Sequence, residues 1–164
     1  MNQIEILSGI NLLPLQHTAV ISSPSEPPHS TETDNWFPKK QLIGPSRNGS
    51  LISKCLRSGH MVFVAGIGGW YEADRAEPGD AKVQLRSALN SMKESLELAG
   101  SNMPNVLQLF ITIADPNKNL APINEVLAEF FPKDPPALTF SSSKITQMGR
   151  NGILLQAGCI AYAD

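Results

Sequence analysis

Cysteine is scarce in this chain: of 164 residues only Cys55 and Cys159 are cysteines, far apart and in no CxxC or Cys/His grouping. That excludes a disulfide framework and argues against a structural zinc site, both of which need several ligands at close spacing. A reducing compartment, the cytoplasm, is the expected location. Long apolar runs are also missing, since none approaches the roughly 20 residues that span a bilayer. The segment Met1 to Leu15 does hold Ile4, Ile6, Leu7, Ile10, Leu12, Leu13 and Leu15, but Glu5 interrupts it and no basic stretch precedes it. It reads as strand and loop, not as a secretion signal. Without a secretory route, the Asn48-Gly49-Ser50 sequon is a chance match. Basic clusters are equally sparse: the one adjacent pair is Lys39-Lys40, and the formal net charge is −2. Nucleic-acid binders draw most of their affinity from a basic stripe that neutralises phosphates. No nucleic acid and no membrane is therefore expected as a partner.

What is present is the composition of a folded protein, with 41% hydrophobic and 17% charged residues. The length suits one domain with an appendage. Residues 22 to 50 carry Pro24, Pro27, Pro28, Pro38 and Pro45 among many Ser, Thr and Asn, which reads as a loop or extended arm. The predicted organisation is an N-terminal strand and Pro/Ser-rich arm over 1–50 and a compact body over 51–164.

Within the body, His60 to Gly66 is a β-branched and aromatic run closed by glycines, a predicted strand, and Gly66, Gly68 and Gly69 would allow a tight bend after it. From Asp80 the period changes. Ala81, Leu85, Ala88, Leu89, Met92, Leu96 and Ala99 recur at three- and four-residue steps, which places them on one helical face, with Asp80 as cap and Gly100 as terminator. Val106 to Ala114 is rich in strand formers and ends at the turn signal Asp115-Pro116. A second helix is predicted over Leu120 to Phe131, with Pro122 in its first turn and Ile123, Leu127, Phe130 and Phe131 buried. Ala137 to Ser142 and Ile153 to Tyr162 are further strands.

Two helices on one sheet leave the other sheet face open. The last strand is apolar at nearly every position, so both of its faces need cover. Self-association is the natural remedy.

Taken together, these segments resemble the RidA/YjgF family, also labelled endoribonuclease L-PSP-like, over about residues 50 to 162. The similarity rests on the strand Gly59 to Gly66, on Gln84, Leu89, Asn90 and the closing Leu98-Ala99-Gly100, on Ile113-Ala114-Asp115 leading to Ile123-Asn124-Glu125-Val126 and Phe130-Phe131, on Pro136-Ala137, and on Cys159-Ile160-Ala161. No one of these is specific alone; five in register are. The resemblance implies a single chorismate-mutase-like α+β domain, a mixed sheet with two helices on one face, assembled as a homotrimer with ligand clefts between subunits. It also implies hydrolysis of enamine and imine intermediates without cofactor or metal. In the family an arginine after Pro-Ala holds the substrate carboxylate, and a glutamate on the last strand positions or activates water.

This chain departs at those positions. Leu138 stands where the arginine would, Gln156 where the glutamate would, Ile52 at an aromatic position, and Ala65 and Ile67 in place of a Ser-Gln pair. Each charged hydrogen bond of an arginine–carboxylate contact is worth roughly 1.5–3 kcal/mol, and leucine supplies none of it. Gln156 can hydrogen-bond but cannot accept a proton near neutral pH. The expected cleft is therefore more apolar, lined by Ile52, Ala65, Ile67, Gly68, Leu138 and Phe140. Lys54, two residues from Ile52 and so on the same side of a strand, is either a substitute cation or a surface lysine. Trp70, Tyr71 and Glu72 sit on a glycine-flanked loop that either closes over a ligand, with Glu72 as general base, or is an ordinary solvated loop. Cys55, a glycine in most of the family, is a candidate nucleophile or a packed thiol. Cys159 faces away from Gln156 and reads as core. The run Ser141-Ser142-Ser143 either bonds a ligand or is a polar strand end. His60 reads as a surface or subunit-contact residue, and His17 and His29 carry no pattern.

Three functions compete at this level. The first is a cofactor-independent enzyme of specialised metabolism acting on a small molecule by proton transfer, hydration or cyclisation. The second is a noncatalytic small-ligand-binding trimer. The third is an imine deaminase whose anchor has moved to Lys54. Ribonuclease activity, suggested by the family's older label, has no support in the charge pattern.

Overall fold

Strand-forming runs and one strongly periodic helical segment dictate a layered arrangement, and a computed structural model describes it for residues 38–44, 51–69, 79–148 and 151–164. The strands are β1 (Lys40–Ile43), β2 (Cys55–Ser58), β3 (Met61–Gly68), β4 (Val106–Ala114), β5 (Ala137–Ser143) and β6 (Leu155–Tyr162); the helices are α1 (Ala81–Leu98) and α2 (Pro116–Phe130). They form one six-stranded sheet in the order β1-β2-β3-β6-β4-β5. All neighbours are antiparallel except β4 and β5, which run parallel and are joined through α2. A parallel pair needs such a crossover, because a tight hairpin cannot return the chain in the same direction.

The helices lie on one face of the sheet. Their side buries Val62, Val64 and Ile67 of β3, Leu109, Ile111 and Ile113 of β4, and Leu155, Ala157, Cys159 and Ala161 of β6 beneath Leu85, Leu89, Met92 and Leu96 of α1. Fully burying one Leu, Ile or Val side chain contributes roughly 1.5–3 kcal/mol, so this layer carries the stability of the domain. α1 begins as predicted: the Asp80 carboxylate accepts from the Val83 amide at 2.9 Å, satisfying one of the donors left open at a helix start. Gln84 sits wholly inside. Its Nε2 donates to the carbonyls of Gly79 (3.0 Å) and Gly152 (2.9 Å), and its Oε1 accepts from Leu154 N (2.8 Å). A buried amide with these partners pins the first turn of α1 to the segment that leads into β6.

Three expectations change. Residues 40–43, read as part of an irregular arm, form edge strand β1, with Lys40 opposite Ser58 and Ile43 opposite Cys55. A four-residue strand is too short to show a period, so its partner defines it. The bend expected at the glycines falls at Gly69, after β3 has run to Gly68, and within the strand the glycine segment contains a bulge in which Ala65 and Gly66 face one residue, Gly158, of β6. α2 starts at Pro116, not Leu120, because Pro116 suits a first helical position and Asp115 turns into it with φ 48°. Pro122 therefore lies inside the helix, which forgoes one backbone bond there. Ile123 is buried as predicted, Val126 joins it, and Leu127, Phe130 and Phe131 pack partly against the core.

Candidate functional site

Side chains alternate across a strand, so the register assigns every candidate to a face. On the face away from the helices, one row crosses the sheet from Gly68 through Gln156 and Thr112 to Ser141. Thr112 Oγ1 and Ser141 Oγ share a hydrogen bond of 2.7 Å. Gln156 Nε2 donates to the Met148 carbonyl at 3.1 Å, which turns its Oε1 toward the bulge. A β-carbon added at Gly66 would come within 3.2 Å of that oxygen, and one at Gly158 would lie 2.9 Å from the Val64 carbonyl. Both positions are kept bare by close backbone and side-chain approach. Among the described residues no hydrogen bond to the Gln156 amide oxygen occurs.

Beyond that row the open face is largely apolar, with Gln108 Nε2 donating to Thr139 Oγ1 at 2.9 Å toward the β5 edge and Ser58 near the β1 edge. Leu42, Leu56, Phe63 and Ile160 form one row across β1, β2, β3 and β6, and Phe110 and Tyr162 lie beside it. Phe63, Phe110 and Tyr162 are 39%, 43% and 41% exposed. Among the described strands, the one charged side chain placed on this face is Lys40, at the β1 edge.

Leu138 is elsewhere. It aligns with Leu109 and Phe140 with Ile111, so both belong to the helix-covered face, at the sheet's edge. Leu138 helps to enclose an open pocket of about 170 Å³, with Leu109 beneath, Leu127, Ala128 and Phe131 of and just after α2 on one side, and Pro135 and Pro136 on the other. Not one of these side chains is polar. Leu138 and Gln156 therefore lie on opposite faces of the sheet, and no cleft holding both is formed within one chain.

The other candidates divide as follows. Gly68 joins Gln156 in its row, and Ala65 stands half-buried in the adjoining bulge. Ile67, expected in the cleft, is instead 6% exposed and packed in the core, because the bulge shifts the alternation and turns it toward the helices. Lys54 reaches α1, donating from Nζ to Ser91 Oγ at 3.0 Å, while its carbonyl accepts from Ala65 N. Ile52 is 75% exposed. Trp70, Tyr71 and Glu72 lie outside the described residues. Cys55 is buried and its thiol donates toward the Ser95 carbonyl at 3.7 Å; burial pushes its pKa up, the nearby Lys54 charge opposing in part. Cys159 is buried too, and desolvation pushes it up to about 12. A nucleophilic cysteine needs a lowered pKa, so both are packed thiols. His60 donates through Nδ1 to the Ala163 carbonyl, 3.0 Å away, at the end of the sheet.

Sequence reasoning missed Thr112 and Phe110 on the open face and the pocket wall formed by Leu127, Phe131 and Pro135. The alternation Gln108, Phe110, Thr112 carried the signal for the first two; nothing local marks the third. No group of three or more His, Cys, Asp or Glu capable of holding a metal occurs among the described residues. No described helix is long and apolar enough to cross a membrane.

A mixed sheet with two helices on one face and a substituted polar row on the other defines an α+β protein of the YjgF fold. The family described as endoribonuclease L-PSP matches residues 49–161, and the chain belongs to that family, the RidA/YjgF family. Among solved structures it is similar to a YjgF/YER057c/UK114 protein of Mycobacterium tuberculosis (23% identity, TM-score 0.65, covering 76% of this chain and 100% of that one). Yeast Mmf1 matches at 18% identity and TM-score 0.67, over 77% of this chain and 100% of its own. A Pseudomonas aeruginosa protein, PA3499, matches at 21% and 0.69, over 77% and 94%. At such identities the likeness establishes the fold.

Proposed function

We propose that the protein is a homotrimer that binds a small, uncharged metabolite between its subunits and acts on it without a cofactor, by proton transfer, hydration or ring closure. The observation that carries this reading is the fate of the family's two polar positions. Leu138 joins an all-hydrocarbon pocket, and Gln156 presents a neutral, oriented amide beside a glycine notch. A carboxylate entering such a place would lose its hydration without gaining a partner, which costs more than the missing contact alone. The trimer is supported by the apolar open face, where three aromatic side chains remain about two-fifths exposed. Because Leu138 and Gln156 occupy opposite faces, a site using both takes one from each of two neighbouring subunits.

The test couples the protein to a pyridoxal-phosphate dehydratase that generates 2-aminoacrylate and follows keto-acid release. The expected rate for the native chain is close to the uncatalysed one. Leu138→Arg should restore carboxylate binding, and adding Gln156→Glu should then raise turnover, since anchoring and water activation are separate tasks. Release as fast as that of an arginine-bearing relative would overturn the reading.

A second reading is a noncatalytic binder. It is favoured by the Gln156 row, where Gln156, Thr112 and Ser141 offer hydrogen bonds but no proton transfer near neutral pH. Turnover of any ligand that binds separates the two; on the catalytic reading Glu72→Gln should then abolish turnover while leaving binding intact.

A further inference from the structure

We infer that the pocket at the β5 edge is a ligand subsite that takes an uncharged, ring-sized hydrocarbon group of a small molecule. The inference deepens the reading above, which supplies the ligand's class, but the pocket itself is built within one chain.

Size is the first argument. The pocket measures about 170 Å³, close to the roughly 150 Å³ of an apolar protein cavity that stays dry and takes up benzene. Chemistry is the second. Its floor is Leu109, 1% exposed, its helix side is Leu127 and Phe131, and its far wall is two consecutive prolines. Pro135 and Pro136 have no amide hydrogen, so that wall offers no backbone donor to an anion or a carbonyl oxygen. Water held there would find few partners, and an apolar group that displaced it would gain both burial and contact. Rigidity is the third: the prolines fix their φ angles and α2 is anchored by Ile123 and Val126 in the core, so the cavity exists before the ligand arrives. Leu138 stands at the rim, 41% exposed, where a bound group would cover it. At the position where the family carries a cation, this chain presents a hydrocarbon surface, and the polar end of the same ligand is then left to hydrogen-bonding groups elsewhere.

The probe is toluene, with benzoate as its charged counterpart, followed by methyl resonances of Leu109, Leu127, Ala128 and Leu138 in the full-length protein. Toluene should shift these methyls in a saturable way, and benzoate should be at least tenfold weaker. Ala128→Leu adds bulk at the exposed pocket mouth, keeps a good helix former, and should weaken toluene at least tenfold with the melting temperature unchanged. Leu138→Arg should reverse the preference between the two probes. Absence of saturable shifts, equal affinity for toluene and benzoate, or toluene binding unaffected by Ala128→Leu would each overturn the subsite. So would filling of the pocket by a side chain of a second copy, seen as a fall in molar mass when Ala128→Leu is introduced. None of these outcomes depends on turnover, so the subsite and the proposed reaction can fail separately.

Discussion

The two faces of the same sheet are built from the same strands and have opposite fates. Ile111 and Phe110 are chain neighbours on β4, yet Ile111 is 1% exposed under the helices and Phe110 is 43% exposed on the other side. The helix face is apolar because it is the core of one chain. The open face is apolar in Phe63, Phe110, Ile160 and Tyr162 but polar at Gln156, Thr112 and Ser141, a mixture that a core does not need and a surface does not favour. The difference teaches that hydrophobicity alone does not distinguish folding from assembly; the face on which it lies does.

Substituting the two neighbours breaks the comparison most directly. Ile111→Ala should cost about 2–5 kcal/mol of unfolding free energy through lost burial and a residual cavity, read from urea melts of native protein and variant at one matched protein concentration. Phe110→Glu should leave the fold's far-ultraviolet circular dichroism intact and instead lower the mass by light scattering from three times the 17.7 kDa chain mass toward one. A native protein that is monomeric at micromolar concentration would remove the assembly side of the comparison altogether.

Alkaline pH sharpens it from inside the core. Cys159 is pushed up to about 12 by burial, whereas an unfolded thiol ionises near 8.5. Below that value both states hold the proton and the group has no effect on pH dependence. Above it the unfolded chain releases the proton and the folded one keeps it, so stability falls as pH rises, by up to about 1.4 kcal/mol per pH unit. The fall ends as the folded thiol itself ionises. Urea midpoints at pH 8.5 and 10.5 should therefore separate more in the native protein than in Cys159→Ala, the variant comparison removing what lysines and tyrosines contribute. Identical pH slopes would mean that the thiol is reached by water.

Much of this arrangement was legible in the chain. The α1 boundaries follow from a period and two caps, and β4 from its composition, because both signals are local. The open sheet face could be inferred from the count of two helices on one sheet and from β6, apolar on both sides except at Gln156. What was not legible depends on register. Gln156 and Leu138 each stood at a recognisable family position, but which face each occupies is decided by the pairing of β5 with β4 and of β6 with β4. The bulge at Ala65 and Gly66 reverses the side on which Ile67 would otherwise lie, and no alternation pattern survives an inserted residue. Strand β1 was hidden for a different reason, since four residues between prolines acquire strand geometry only from their partner.

The smallest expected effect is the one that tests whether a cation has moved into the site. Lys54 is the candidate replacement for the missing arginine, and its side chain is directed to Ser91 on α1, 3.0 Å from Nζ to Oγ, on the helix side of the sheet from which Gln156 faces away. A lysine spent on an exposed hydroxyl is worth little: surface contacts of charged side chains contribute about 0–1 kcal/mol. Lys54→Ala should therefore leave the melting temperature, the molar mass and the affinity for any uncharged ligand close to native, and benzoate should bind no worse than before. Were benzoate or another carboxylate to bind native protein well and lose tenfold or more in Lys54→Ala, the lysine would be a carboxylate anchor swung away from Ser91 when a ligand is present, and the deaminase reading would displace the one proposed. Lys54→Arg gives the confirming arm, because a true anchor would keep its carboxylate with the larger cation, whereas a surface lysine would show no change in either variant.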